Sequence, residues 1–259
     1  MAKENKNKYI GMTNINNQGY KMTIVDYINY KDVVIEFDDE YKTQRHCEIV
    51  NFKKGCVPNR SQPTVHGIGI VDVDRKYAGK EKEYITWSHM IRRCYVSEEN
   101  SRDRDSTYQD CVVCEQWKRY SNFYDWIHSQ PNYKQWADGG FSIDKDIIKK
   151  GNNIYCPEYC CLVPNYINNI FTKHTAKRGK YTIGVTINEY GTFTVTLRDW
   201  ETNKYKHYGN FKTPEEAFNF YKEKKEEYIK MVAQSEYDKG NITKECYNAM
   251  MNYQVEITD

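Results

Sequence analysis

Trp87-Ser88-His89-Met90-Ile91-Arg92-Arg93-Cys94-Tyr95, then Val113-Cys114-Glu115-Gln116-Trp117, then Ile143-Asp144-Lys145-Asp146 and Tyr155-Cys156-Pro157-Glu158-Tyr159-Cys160 follow one another between Trp87 and Phe171. Trp87, Met90 and Ile91 fall at helical spacing, as do Trp117, Tyr120, Phe123, Tyr124 and Ile127, which predicts two amphipathic helices on the 3.6-residue pattern. Residues 97–106 between them are polar and charged, as in a solvated loop. After Gly139-Gly140 a strand is expected at Phe141-Ser142-Ile143, a turn at Gly151-Asn152-Asn153, and a short second strand at Ile154-Tyr155. Pro164, preorganised for a first helical turn, predicts a helix running to Phe171. The expected centre is a hairpin flanked by helices and followed by another. Trp87, Trp117 and Trp126 are its expected core, and Trp136 is either core or a stacking surface.

Composition sets the frame around this stretch. The chain has 259 residues, enough for two or three small domains, with 29% charged residues and 24 tyrosines. No apolar run approaches the ~20 residues of a membrane helix. The start, Met1-Ala2-Lys3-Glu4-Asn5-Lys6, has no apolar segment behind it and does not read as a signal peptide, so a cytoplasmic address and no membrane partner are expected. Nine cysteines, an odd number, fit reduced thiols that bind metal or pack in a core better than a disulfide framework. The net charge of +2 does not by itself announce nucleic-acid binding, but residues 172–212 hold eight Lys or Arg against three acids.

Towards the amino terminus, Met22 and Ile24, then Val33, Ile35 and Phe37, then Ile49 and Phe52 alternate with polar residues between turns at Asn16-Asn17, Asp38-Asp39 and Lys54-Gly55. This pattern predicts a small antiparallel β domain, barrel-like, over residues 1–75, with a charged linker from Asp72 to Glu83. A central domain follows over 84–175 and a third over 180–259. In the third, strands are expected at residues 181–188, 192–199 and 204–211. Thr213-Pro214-Glu215-Glu216 reads as an N-cap, a first-turn proline and two acids suited to a helix dipole. Residues 241–253 add one more helical segment.

The order and spacing of the four central blocks resemble the HNH endonuclease domain often encoded by bacteriophages, with its pattern W-x-x-M-x-x-R-C-Y, V-C-x-x-W, L-D-R-I-D and Y-x-P-x-N-C-R-W. The resemblance implies a ββα-metal arrangement and metal-dependent phosphodiester hydrolysis in DNA. Mg²⁺ or Mn²⁺ would then be held by Asp144 and, on the following helix, by Asn168. The plainer reading is that Asp144 caps a turn and Asn168 pairs with backbone. Where the family places its general-base histidine, this chain has Lys145. A lysine at neutral pH would need about 4.6 kcal/mol to release its proton, so Lys145 is expected on a phosphate rather than as the base. His174, His128 and His89 are the alternative bases, or a metal-bound hydroxide acts with no separate base, and nothing in the sequence selects among these. Cys111, Cys114, Cys156 and Cys160 have the spacing of a structural zinc site and equally that of buried core thiols.

Gly184-Val185, Tyr208-Gly209-Asn210-Phe211, Thr213, Glu215-Glu216-Ala217 and Tyr221 resemble an Apetala2-type DNA-binding domain over about 180–225. The resemblance implies a sheet on double-stranded DNA, here contacted by Lys180, Thr186, Asn188, Arg198, Trp200, Lys204, Lys206 and His207. Thr186 and Asn188 replace a pair of arginines in that pattern, which weakens base readout more than phosphate contact. The bland alternative is an ordinary solvated strand face. The expected protein is thus α+β, with a barrel-like β domain, a helix-flanked ββα-metal domain and a three-stranded sheet plus helix. Its expected role is a DNA-binding HNH-type endonuclease. The rival is a non-catalytic DNA- or protein-binding phage factor, such as a regulator or an anti-CRISPR inhibitor of a host defence system.

Overall fold

The structure, a computed structural model, describes residues 8–40, 42–73, 81–96, 110–171, 181–199, 202 and 204–257. It is mixed α+β and divides into two compact units, Met1–Arg104 with Lys118–Tyr124, and Asp105–Trp117 with Asp125–Asp259. The stretch 84–175 is therefore shared between the two. No helix among the described residues is long and apolar enough to cross a membrane.

In the first unit β1 (Thr13–Ile15), β2 (Lys21–Asn29), β3 (Asp32–Phe37) and β4 (Gln44–Cys47) form an antiparallel sheet in that order. Alternation along β3 buries Val33, Ile35 and Phe37, which join Met22 and Ile24 of β2 in one core. Ile49 and Phe52 cover that core from α1 (Ile49–Lys53), three residues apart on a helix rather than on a strand. The sheet is open. Among the described residues no pairing joins β1 to β4, which corrects the barrel-like expectation: the edge strands are three and four residues long, and a single short helix suffices to cover the apolar face.

The hairpin β5 (Pro63–Val65) and β6 (Gly69–Ile70) lies against α2 (Lys82–Tyr95): a Cβ added to Gly69 would stand 2.7 Å from Cη2 of Trp87. Trp87, Met90, Ile91 and Cys94 are the buried face of α2, at the helical spacing predicted for them. The expected linker begins with a structural contact instead. Asp72 accepts hydrogen bonds from Ser121 N (3.0 Å) and Ser121 Oγ (2.7 Å), and so satisfies an amide at the start of the helix that follows Arg119.

The second unit begins with β7 (Val112–Val113). Its helices α3 (Tyr120–Ser129, shared with the first unit) and α4 (Tyr133–Ala137) precede β8 (Phe141–Asp144). Trp117 and Trp126 meet with ring centroids 4.5 Å apart, and Trp136 is buried, which places it in the core. β9 (Ile154–Tyr155) pairs in parallel with β7, not with β8. The partner of β8 is β10 (Cys161–Pro164), which runs straight into α5 (Asn165–Phe171). This corrects the expected hairpin. All four β10 residues are buried, so the strand shows no polar alternation, and Pro164 closes the strand rather than opening the helix.

β11 (Val185–Ile187), β12 (Phe193–Arg198) and β13 (Tyr205–Phe211) form an antiparallel sheet, with the strand order of the sequence and ends drawn in by a few residues. The helix α6 (Pro214–Asp238) begins where the capping residues place it. Thr213 accepts from Glu216 N, and Glu216 reaches back to Lys212 N at 3.0 Å. Thr213→Ala is expected to lower stability by about 1 kcal/mol, read as a shift in the urea unfolding midpoint at unchanged slope. α6 has two buried faces. Ala217, Phe218 and Tyr221 pack on Val185 and Val195 of the sheet, whereas Ile229, Val232 and Ala233 pack on Cys161, Val163 and Ile167. α7 (Lys244–Met251) closes the second of these cores with Cys246 and Met250.

Candidate functional site

The loop between β8 and β10 is organised by Asp144, the last residue of β8 and the partner of Cys161 in the antiparallel register. Its Oδ1 accepts hydrogen bonds from Asp146 N (2.7 Å) and Ile147 N (2.8 Å), and Ile147 carries the loop into the core. Asp144 does cap a turn, as the plainer reading expects. Its second oxygen, Oδ2, has no hydrogen-bond partner among the described residues, although the side chain is only 7% exposed. Burial pushes its carboxyl above the ordinary range, against the pull of the two backbone bonds.

The start of α5 is tied to the start of β8. Asn165 donates through its backbone N to Gly140 O (3.1 Å) and through Nδ2 to Gly139 O (2.9 Å), while Ser142 Oγ donates to Asn165 Oδ1 (2.6 Å). α5 thus leans on the hairpin, and Ile167 buries against Cys161 and Val163. Asn168 follows Ile167, half-buried, on the helix next to the strand that pairs with Asp144. A further anchor has no sequence signature. Glu236 of α6 is buried and receives Lys239 Nζ (2.6 Å), Asn241 Nδ2 (2.8 Å) and a hydrogen bond from Tyr166 of α5. Burial alone would raise its carboxyl, and these donors lower it instead.

Lys145 does not stand clear of the protein. Its Nζ donates to Asp146 Oδ1 (2.6 Å) and to Asn152 O (3.2 Å), with 12% of the side chain exposed, and it lies over the Tyr155 ring at 5.9 Å. Burial disfavours its charge, but the bond to Asp146 and the surrounding negative charges outweigh it, so its pKa is raised. Asn152 completes the lock by donating to Lys145 O (2.9 Å) and Ile154 O (2.8 Å). Of the alternative bases, His128 is exposed with its ring 4.0 Å from that of Tyr133, His89 is exposed on α2 in the first unit, and His174 lies outside the described residues.

The parallel pairing of β7 with β9 sets the Cys111–Cys114 segment beside the one that begins at Cys156: Cys114 N donates to Tyr155 O (3.0 Å). All nine cysteines are thiols rather than halves of disulfides. Burial pushes the Cys156 thiol up to about 11 and that of Cys160 well above its ordinary value. Among the described residues no three His, Cys, Asp or Glu side chains are grouped to hold a metal ion.

On the carboxy-terminal sheet, one face is covered by α6 and the other is polar. Thr186 and Thr194 hydroxyls meet at 2.8 Å, Thr196 meets His207 Nδ1 at 2.8 Å, and Arg198 pairs in register with Tyr205. Lys204 is exposed. Two residues expected on DNA have other work. Asn188 holds the 189–191 turn, bonding Thr192 Oγ1 at 2.7 Å and accepting from Tyr190 N and Thr192 N. Lys206 is paired with Asp199 at 2.5 Å, and this bond, with those from Thr202, keeps the Asp199 carboxyl well below the usual carboxylate range. Lys180 and Trp200 lie outside the described residues. The chain matches no protein-family model, no curated protein and no solved structure.

Proposed function

We propose that the chain is a DNA-acting HNH-type protein in which β8, β10 and α5 form a ββα-metal unit for phosphodiester hydrolysis, and the sheet β11–β13 holds double-stranded DNA as an Apetala2-type module. The observation that carries this reading is a buried carboxylate at the end of a hairpin strand, one oxygen fixed by two backbone amides and the other without a hydrogen-bond partner, beside a helix that follows directly from the paired strand. Hard oxygen donors of this kind suit Mg²⁺ or Mn²⁺, and Asp144 and Asn168 are the residues that would hold it. The ion supplies Lewis-acid stabilisation of charge on the phosphodiester when bound. The protein's own part is positional. Asp146 N and Ile147 N aim the carboxylate, and the Asn165–Ser142 and Tyr166–Glu236 bonds orient α5. In this reading the protein acts in the cytoplasm of a bacterial host.

A second reading is favoured by one observation. The ammonium that stands in place of a base is itself bonded to Asp146 and to the Asn152 carbonyl, which makes Lys145 a loop strut. A chain so arranged would bind DNA or a protein without cutting, as a regulator or anti-defence inhibitor. Plasmid nicking with Mg²⁺ decides between the two. Lys145→His places an imidazole at the end of β8 and is expected to raise the nicking rate roughly 10²-fold over wild type, the low end of what a positioned general base contributes. Intact plasmid with both proteins, while both still retard DNA in a gel, would overturn the catalytic reading and leave the binder. Loss of retardation at low salt, where phosphate contacts are strongest, would overturn the catalytic reading and the DNA-binding form of the second, leaving a protein-binding role.

A further inference from the structure

The core that α7 closes is built mostly of hydrocarbon, from Ile147, Val163, Ile167, Ile229, Val232 and Ile242. Three sulfur-bearing side chains interrupt it, Cys161 of β10 with Cys246 and Met250 of α7, and none is more than 1% exposed. Cys246 and Met250 stand one helical turn apart, and Cys246 Sγ meets Met250 Sδ at 3.9 Å. The Cys246 thiol also shares a hydrogen bond with the thiol of Cys161, so it joins the other two sulfurs. A single buried sulfur is ordinary packing, but two thiols and a thioether drawn together from a strand and a helix make a donor set.

The chemistry of that set is selective. Thiolate and thioether are soft ligands, and Cu(I) is the soft ion that accepts them in few-coordinate sites. Metal–thiolate bonds of about 2.3 Å hold the sulfurs of a trigonal site about 4 Å apart, the separation that Cys246 and Met250 already have. Structural zinc needs a fourth donor, and among the described residues no three His, Cys, Asp or Glu side chains are grouped to hold an ion. Mg²⁺ and Ca²⁺ take oxygen. Cys246 also lies in the first turn of α7, capped by Thr243, where the helix dipole favours negative charge.

We propose that Cys161, Cys246 and Met250 form a trigonal site for a soft monovalent cation of the Cu(I) class. On binding, the two S–H bonds break, their protons pass to water and two metal–thiolate bonds form. The thioether adds a lone pair, and no electron is transferred. Entry requires only that α7, eight residues long, lifts from the core, a local opening rather than global unfolding. Once bound, the ion fastens α7 to β10 and stabilises the second unit by mass action. The site contains neither Asp144 nor Asn168, and it does not require the chain to act on DNA.

The test uses the full reduced chain, loaded with Cu(I) in the absence of oxygen and challenged with bathocuproine disulfonate, a coloured Cu(I) chelator. One equivalent of Cu(I) is expected to stay with the protein at chelator concentrations that strip exposed thiols, and to raise the unfolding temperature. Cys246→Ala is expected to lose that equivalent, and Cys56→Ser, at an exposed thiol, to keep it. Met250→Leu nearly conserves volume, so it serves as the test if the alanine variant does not fold. X-ray absorption should count three sulfurs about the ion in wild type and two in Met250→Leu. No Cu(I) held against the chelator, equal retention in a folded Cys246→Ala, retention lost in Cys56→Ser, or the same sulfur count with and without Met250 would each overturn the site. None of these outcomes bears on the hairpin β8–β10 or the sheet β11–β13 as a DNA surface.

Discussion

Asp144→Asn is expected to lower metal-dependent plasmid nicking by a factor on the order of 10²–10³, the equivalent of the several kcal/mol that a bound cation lends to charge developing at phosphorus. Asparagine keeps an Oδ1 that can accept from Asp146 N and Ile147 N, so the loop retains its geometry. What is removed is the negative charge on the oxygen that the protein leaves without a donor. Alanine would be a poorer test, because two amides would lose their acceptor, the buried Ile147 N at about 1–3 kcal/mol, and activity could fall through unfolding. The measurement is the initial nicking rate at saturating Mg²⁺, with thermal unfolding of the same preparation. Since burial disfavours the ionised form of Asp144, the asparagine variant should unfold at no lower temperature than wild type. An unchanged rate in a folded variant would remove Asp144 from the chemistry.

Gly184→Ala is the substitution expected to damage the carboxy-terminal sheet most. Gly184 has φ +75, and a Cβ there would overlap the ring of Tyr221, which is buried in the core between the sheet and α6. The left-handed conformation costs a non-glycine residue about 1–2 kcal/mol, and forcing a methyl into a filled core roughly 1–3 more, so a loss of about 3 kcal/mol is expected in urea unfolding. DNA retardation should weaken with it, as the strands that carry Thr186 and His207 lose their backing. Adding Tyr221→Leu to the alanine variant should recover the part due to overlap but not the part due to φ, and such non-additivity is the signature of direct contact. Equal stability of Gly184→Ala and wild type would contradict the packing described.

The features legible in the sequence are those written locally. Thr213-Pro214-Glu215-Glu216 announces its helix because an N-cap, a fixed φ and acids in the first turn all act within four residues. Trp87, Met90 and Ile91 announce theirs by period. The β8–β10 pairing was illegible for the opposite reason. A strand buried on both faces shows no alternation, so Cys161–Pro164 gives no period to follow, while Ile154–Tyr155 offers two β-formers that pair elsewhere, in parallel with Val112–Val113. Of the candidate site, Asp144 and Asn168 are singled out only through the resemblance to the HNH pattern, and the tie from Lys145 to the Asn152 carbonyl could not be read at all, because it depends on how the Gly151 turn brings a backbone oxygen round. Asp72 capping Ser121 across 49 residues and Tyr166 bonding Glu236 are likewise products of tertiary structure with no local trace.

The helix Pro214–Asp238 serves two cores, and the buried residues Ala217 and Val232 are about 15 positions, roughly 22 Å, apart along its axis. A rod of that kind neither stretches nor slides. If the sheet at one end grips a duplex and the hairpin at the other end breaks it, the spacing between grip and break is a property of the protein rather than of the DNA. The molecule would then behave as a ruler, leaving its breaks at one constant offset from wherever it is seated.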